Sequence, residues 1–127
     1  MVGGKHRDGV ASLRMRAEAL KGHLDGLLLA ALEPGPLHGY AVIEQLRAGS
    51  DGRIDLPTGT VYPALHRLER AGLVRSRWSS ESGRRRRCYE LTPDGSAALR
   101  TIRAGWAEFS TAVTALLGGG HARPATG

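Results

Sequence analysis

The segment TGTVYPALHRLERAGLV, residues 58–74, decides the fold of this chain. Its apolar residues return every three or four positions, which predicts a helix that buries one face. We expect this helix to begin near residues 57–59 and to end at Gly72, because glycine commonly follows the last helical turn. The opposite face carries basic and polar side chains, among them His66, Arg67 and Arg70.

The residues after this helix change to a period of two, which is typical of β-strands. Val74, Ser76 and Trp78 alternate with arginines, and a second alternating stretch covers residues 88–91. The intervening SSESGRR, residues 79–85, supplies a turn. The pattern predicts a two-stranded antiparallel hairpin with a tip rich in arginine.

Two helices are expected before the deciding segment. The first covers residues 10–33, where an apolar stripe repeats every three or four positions until Pro34-Gly35-Pro36 ends it. The second runs from His38 to about Ala48, and the loop GSDG at 49–52 closes it. The stripe of the first helix consists of Leu13, Ala17, Leu20, Leu24, Leu27 and Ala31.

A long helix is expected at the C-terminal end, starting at Thr92-Pro93-Asp94 and continuing to about Leu117. Threonine is a favoured helix cap, proline suits the first helical position, and a carboxylate is stabilised near the positive end of the helix. Apolar residues spaced by three and four along this helix predict a surface that pairs with a second copy of the chain. They are Leu99, Ile102, Trp106, Phe109, Val113 and Leu116.

Together these elements predict a mainly α protein, a winged helix-turn-helix with a two-stranded β wing and a long C-terminal dimerisation helix. The expected division is a flexible tail over 1–9, a DNA-binding domain over 10–92, the dimerisation helix over 93–117 and a second flexible tail over 118–127. In such modules one helix enters the major groove, and the wing reaches the backbone or the neighbouring minor groove.

The charge of the chain favours double-stranded DNA as the partner. The 127 residues carry a formal net charge of +6 and a pI of about 10.4. Most of this charge is local, because residues 66–90 hold eight arginines and three glutamates, a net charge of +5. Localised positive charge indicates a polyanionic partner.

The composition also excludes several classes of protein. A single cysteine, Cys88, rules out a disulfide framework, and the histidines lack metal-ligand spacing. The longest apolar run, residues 27–32, is too short to cross a membrane, and no secretory signal is visible, so a cytoplasmic protein is expected. No nucleophile–base pair, carboxylate cluster or phosphate-binding glycine loop is present, which predicts a protein that is not an enzyme and has no cofactor.

Three segments closely resemble the PadR family of bacterial transcription regulators, in its short form with a single C-terminal helix. They are PLHGY (36–40), TGTVYPALHRLERAGLV (58–74) and GRRRRCYELTPDG (83–95). The resemblance implies a homodimeric repressor that binds an inverted repeat and is released by a small molecule. One position departs from the family, because Pro57 stands where members often have a serine that could cap the helix.

The predicted DNA contacts come from the helix front and the wing tip. Gly59 and Thr60 let the backbone approach a phosphate at the positive helix end, and the Tyr62 hydroxyl can donate to a phosphate. Pro63, which lacks an amide hydrogen, is expected near the first turn. His66 and Arg67 are the expected base readers. The full predicted set is Tyr40, Gly59, Thr60, Tyr62, Pro63, His66, Arg67, Arg70, Arg84, Arg85 and Arg86.

Each of these interpretations has an alternative. The helix front could be only a solvated face, and the arginine run only a charged turn. Tyr40 either packs between helices or places its hydroxyl on DNA. Trp106 either packs in the dimer core or lines a pocket for a small aromatic or cationic effector. At the level of the whole protein, the alternatives are an architectural nucleic-acid-binding protein without ligand response and a winged-helix module that binds proteins.

Overall fold

The computed structural model describes residues 20, 22–80 and 83–118. Helices and a small antiparallel sheet alternate along this part of the chain. In chain order the elements are α1 (Leu24–Leu32), β1 (Leu37–His38), α2 (Gly39–Gly49), α3 (Thr58–Arg70), β2 (Val74–Ser79), β3 (Arg86–Leu91), α4 (Pro93–Val113) and one π-helical turn (Thr114–Gly118).

The first predicted helix is shorter than expected. Gly22 has a φ of 90°, which breaks the helix, and α1 begins only at Leu24. A hydrogen bond immediately precedes α1, where the His23 amide donates to the Leu20 carbonyl at 2.8 Å. A continuous helix over 10–33 is therefore wrong. Its N-terminal half and both predicted tails, apart from Gly118, lie outside the described residues.

The wing contains a third strand that the sequence did not predict. β2 and β3 form the expected antiparallel hairpin, and β1 adds to the free edge of β3. The register pairs Leu37 with Tyr89 and His38 with Cys88. Because His38 is extended and belongs to β1, α2 begins at Gly39 and not at His38.

The core lies between α1, α2, α3 and the inner face of the sheet. Leu28, Leu29, Val42, Leu65 and Leu68 are completely or almost completely removed from solvent. They come from three different helices and meet in one interior. Leu65 and Leu68 belong to the apolar face predicted for α3. Leu28 and Leu29, in contrast, lie outside the stripe predicted for the first helix, whose members Leu24 and Leu27 are only half-buried. α2 and α3 form a helix-turn-helix, and the β2–β3 hairpin forms the wing, as the sequence predicted.

The start of α4 is fixed against the wing by a compact joint. The Thr92 hydroxyl accepts a hydrogen bond from the Gly95 amide at 3.0 Å and donates to the Gly72 carbonyl at 2.6 Å. Gly95 lies so close to the Leu73 carbonyl that a Cβ at this position would overlap with it. The predicted threonine cap is confirmed, and the direction of α4 relative to the wing is set at this joint.

Candidate nucleic-acid interface

Helix α3 is amphipathic, with one face in the core and the other in solvent. Its core face, which includes Val61, Leu65 and Leu68, is buried. The predicted DNA face is open: Thr60 is half-buried, and the other members on α3 are exposed, namely Gly59, Tyr62, Pro63, His66, Arg67 and Arg70.

The N-terminus of α3 begins without a side-chain cap. Pro57 is extended and has no capping hydroxyl, so the amides of Thr60 and Val61 bond instead to its carbonyl, at 3.0 and 3.1 Å. Pro63 is the sixth helical residue, one turn later than expected, and it offers no amide to the Gly59 carbonyl. This end of α3 therefore presents backbone amides of the first turn, and the space that a side chain at Gly59 would enter is open.

The ring of Tyr62 lies directly on Gly39. A Cβ at Gly39 would be 2.5 Å from Tyr62 Cε1, so only glycine permits this contact. The contact connects the HGY segment at the start of α2 to the first turns of α3. Tyr40, the next residue, is half-exposed, and neither of its two predicted roles is decided by this position.

An open cleft of about 690 Å³ separates the α2–α3 pair from the wing. Aromatic and basic side chains dominate its walls, with Glu44 as the single acidic residue among them. The cleft brings together four of the eleven predicted DNA-contacting residues, and the other seven do not line it. The four are Tyr40, Tyr62, Arg85 and Arg86. It is lined by His38, Gly39, Tyr40, Glu44, Tyr62, Trp78, Arg85, Arg86, Arg87 and Tyr89.

The two expected base readers lie in different surroundings. His66 faces the sheet, with its ring centre 6.4 Å from that of Tyr89. Arg67 lies on the other side of α3, where its guanidinium pairs with the Asp25 carboxylate of α1 at 2.9 Å. Both members of this pair are about half-exposed, so water competes with the contact. Arg67 uses only Nη1 in this pair, and its other N–H groups are not engaged by Asp25.

The outer face of the wing is partly neutralised by one carboxylate. Glu90 accepts hydrogen bonds from Arg75 at 2.7 Å and from Arg77 at 3.2 Å. The bond from Arg75, together with the charge of both arginines, holds the pKa of the Glu90 carboxyl below its ordinary value. Arg75 and Arg77 therefore contribute less free positive charge than their number suggests.

The arginines at 84–87 point in different directions. Arg86 donates to the His38 ring Nε2 at 2.7 Å, and Arg87 lies 3.9 Å from Glu69. Arg85 stacks on the ring of Trp78, with 4.5 Å from the guanidinium carbon to the ring centre. Arg84 is exposed at the tip.

Trp78 is the residue at this surface that the sequence interpretation missed. It is 53% exposed, pairs across the hairpin with Arg87, and lines the cleft. The alternation of the two strands could have revealed this position, because the hairpin register places Trp78 opposite the arginine run.

Helix α4 extends beyond the core and exposes an apolar face. Trp106 contacts the rings of His23 and Phe109, with centroid distances of 5.6 and 5.8 Å. Ile102, Trp106, Phe109 and Leu116 are exposed, and Val113 is half-buried.

Leu99 requires a correction. Periodicity assigns it to the dimer surface, but it is 4% exposed and packs in the core of its own chain. Ile102 is also partly covered by its own chain, because it packs against Gly26 of α1. The face available to a partner therefore begins near Ile102.

Within the described residues, no group of three metal-ligating side chains comes together. None of the helices described is long and apolar enough to span a membrane.

The fold and this surface define the class of the protein: it is a winged helix-turn-helix protein with a C-terminal helix. The model of the transcriptional regulator PadR-like family matches residues 28–101, more than half of the chain, and the protein belongs to this family. A family of transcriptional regulators is not a class of enzymes.

Individual relatives agree with this assignment. Transcriptional regulator Rv3488 from Mycobacterium tuberculosis is 48% identical over 55 residues, which are 43% of this chain and 51% of that protein. The crystal structure of a PadR family transcription regulator from Clostridium difficile is 33% identical, with a TM-score of 0.69, over 76% of this chain and 99% of that one. Bacillus subtilis PadR in complex with operator DNA is 23% identical, with a TM-score of 0.56, over 61% of this chain and 44% of that one, and shows the same fold.

Proposed function

We propose that this protein is a sequence-specific DNA-binding repressor of transcription that acts as a homodimer on an inverted repeat and responds to a small-molecule effector. The observation that carries the proposal is the cleft, which gathers Tyr40 of α2, Tyr62 of α3 and the wing arginines on one side of the molecule. The similar fold of Bacillus subtilis PadR, whose structure contains operator DNA, supports DNA as the partner. A regulator of bacterial operator DNA acts in the cytoplasm.

The residues divide into two roles on DNA. His66 and Arg67 project from a rigid helix and are proposed to read base edges in the major groove. The remaining members of the surface are proposed to contact the phosphate backbone or the minor groove, where positive charge is favoured. These are Tyr40, Gly59, Thr60, Tyr62, Pro63, Arg70, Arg84, Arg85 and Arg86.

The exposed apolar face of α4 supports the homodimer. Ile102, Trp106, Phe109 and Leu116 lie on a helix that leaves the core, and large exposed apolar patches are typical of interfaces. A twofold dimer would set two α3 helices on one side of the DNA, roughly 34–36 Å apart, as an inverted repeat requires.

The effector is proposed to bind beside Trp106. This side chain is half-exposed in the single chain and contacts two other rings at steep angles, so pairing of two α4 helices would place aromatic walls around a shared space. Planar aromatic or cationic compounds suit such walls. We expect them to quench tryptophan fluorescence, and Trp106→Ala should reduce ligand affinity more than DNA affinity.

Footprinting on the DNA upstream of the gene and its neighbours tests the proposal. Protection of one short inverted repeat is the expected result. Coating of DNA without sequence preference would favour an architectural protein instead. Undetectable binding to genomic fragments at low salt would favour a winged-helix module that binds proteins.

A further inference from the structure

Trp78 occupies an unusual position for a tryptophan. Its ring is more than half exposed and does not belong to the core cluster. Instead it lies on the same face of the hairpin as the buried Val74 and Tyr89, nearer to the wing tip. Burial of apolar surface therefore does not account for this side chain.

Two guanidinium groups share the Trp78 ring. The guanidinium carbon of Arg85 lies 4.5 Å from the ring centre and that of Arg87 lies 5.3 Å from it. The aromatic face attracts both cations, which otherwise repel each other. An arginine that lies flat against a ring keeps the N–H groups at its edge free, so it can still form a bidentate hydrogen bond to a phosphate.

The contact with Trp78 also restricts the rotamers of Arg85 before DNA binds. Arg85 follows Gly83 and Arg84 in the turn, without a regular element of its own. A long side chain in such a turn loses rotamer freedom when it binds, and this loss weakens binding. A ring that holds the side chain in place before DNA arrives reduces the loss.

We propose that Trp78 is a positioning residue for DNA binding, which holds Arg85 over the cleft with its N–H edge directed at a phosphodiester, whereas Arg87 lies between Trp78 and the Glu69 carboxylate, 3.9 Å away. This inference rests on the proposed function, since it assigns a role within the same DNA-binding surface. Trp78 thereby becomes part of that surface. The proposed occupant of the cleft is a stretch of sugar–phosphate backbone, because three arginines and only one glutamate line the cleft.

The test compares four variants of the full chain, Trp78→Phe, Trp78→Leu, Arg85→Ala and the double variant of the last two, by titrating fluorescein-labelled operator and scrambled duplexes at several salt concentrations. Trp78→Leu should weaken binding to both duplexes about tenfold and flatten the salt dependence by about 0.9 for each phosphate that is no longer bound. Trp78→Phe keeps a ring and should restore most of the affinity. Trp78→Leu with Arg85→Ala should be scarcely weaker than either alone, because both remove the same interaction with DNA.

A purely structural role would give a different pattern. It would lower the melting temperature of Trp78→Leu, leave the salt dependence unchanged and make the two substitutions additive. Either an unchanged salt dependence or additivity overturns the proposal. If the wild type does not prefer operator over scrambled DNA, the proposed function fails. The ranking of the variants by their affinity for scrambled DNA at low salt still tests the role of Trp78.

Fluorescence gives a second measurement. The chain has two tryptophans, so the change in emission on adding DNA should be present in the wild type and absent in Trp78→Phe. An equal change in both proteins would place DNA away from Trp78 and would overturn the proposal.

Discussion

Replacing Arg84 and Arg85 together with alanine should flatten the salt dependence of operator binding. Both side chains are exposed at the wing tip, and neither is paired with a carboxylate in the ion pairs of the described residues. Each phosphate contact contributes about 0.9 to the slope of log affinity against log salt. Two contacts in each of two subunits would therefore lower the slope by about 3.6.

The size of this effect is easily measured. Between about 50 and about 200 mM salt, a slope change of about 3.6 corresponds to a roughly 150-fold change in relative affinity. The variant should thus lose far more affinity at low salt than at high salt. Because backbone contacts carry no base information, operator and scrambled duplexes should be weakened alike.

Arg75→Ala with Arg77→Ala is the matched control. It removes the same two charges from the same hairpin, but these guanidinium groups bind Glu90 at 2.7 and 3.2 Å. Its salt slope should stay close to that of the wild type. Titration by fluorescence anisotropy decides between the two pairs, and equal flattening by both would refute the division of the wing into a free tip and a partly neutralised outer face.

Three further expectations concern stability and assembly. Gly95→Ala should destabilise the fold by about 1–3 kcal/mol in urea unfolding, because its Cβ would overlap the Leu73 carbonyl. Gly105→Ala is the control on the same helix: its Cβ enters open space, and it should stabilise the fold by roughly 0.5–1 kcal/mol. Glu90→Gln should be less stable than the wild type at pH values above the ordinary carboxyl pKa. This difference in stability should vanish as the pH falls through the lowered pKa of Glu90, because the wild type then loses the same ion pairs. A difference that persists in acid unfolding curves would contradict this. Phe109→Asp should give a monomer in sedimentation experiments, and a stable wild-type monomer at micromolar concentration would argue against the dimer.

The elements that the sequence predicted well are those defined by local pattern. Helix α3 and the hairpin follow from a change of period at one point, and the start of α4 follows from the cap at Thr92. In each of them the residues that decide the structure are neighbours in the chain. The sequence therefore contains the full signal for these elements.

The missed features depend on distant contacts or on backbone geometry. β1 has two residues, too few for a pattern, and its partner strand lies about fifty residues away. The glycine at 22 lies inside an otherwise regular apolar stripe, which does not reveal its positive φ. The spacing of Leu99 shows that it is buried but not by which subunit.

The same distinction applies to the candidate site. The sequence placed basic residues on α3 and on the wing, but it could not show which of them are already engaged. Arg67 pairs with Asp25 across 42 residues, and Arg86 meets His38 across 48. Such pairs leave no periodic trace, so only the folded structure separates the free arginines from the occupied ones.

The contact of Tyr62 with Gly39 has a consequence for the evolution of this chain. A Cβ at position 39 would lie 2.5 Å from Tyr62 Cε1, so a substitution there forces the exposed tyrosine ring to turn away. The ring is one wall of the cleft, and a change at position 39 therefore reshapes the cleft without touching any of its charged residues. Glycine at 39 and tyrosine at 62, 23 positions apart, are expected to change together more often than by chance.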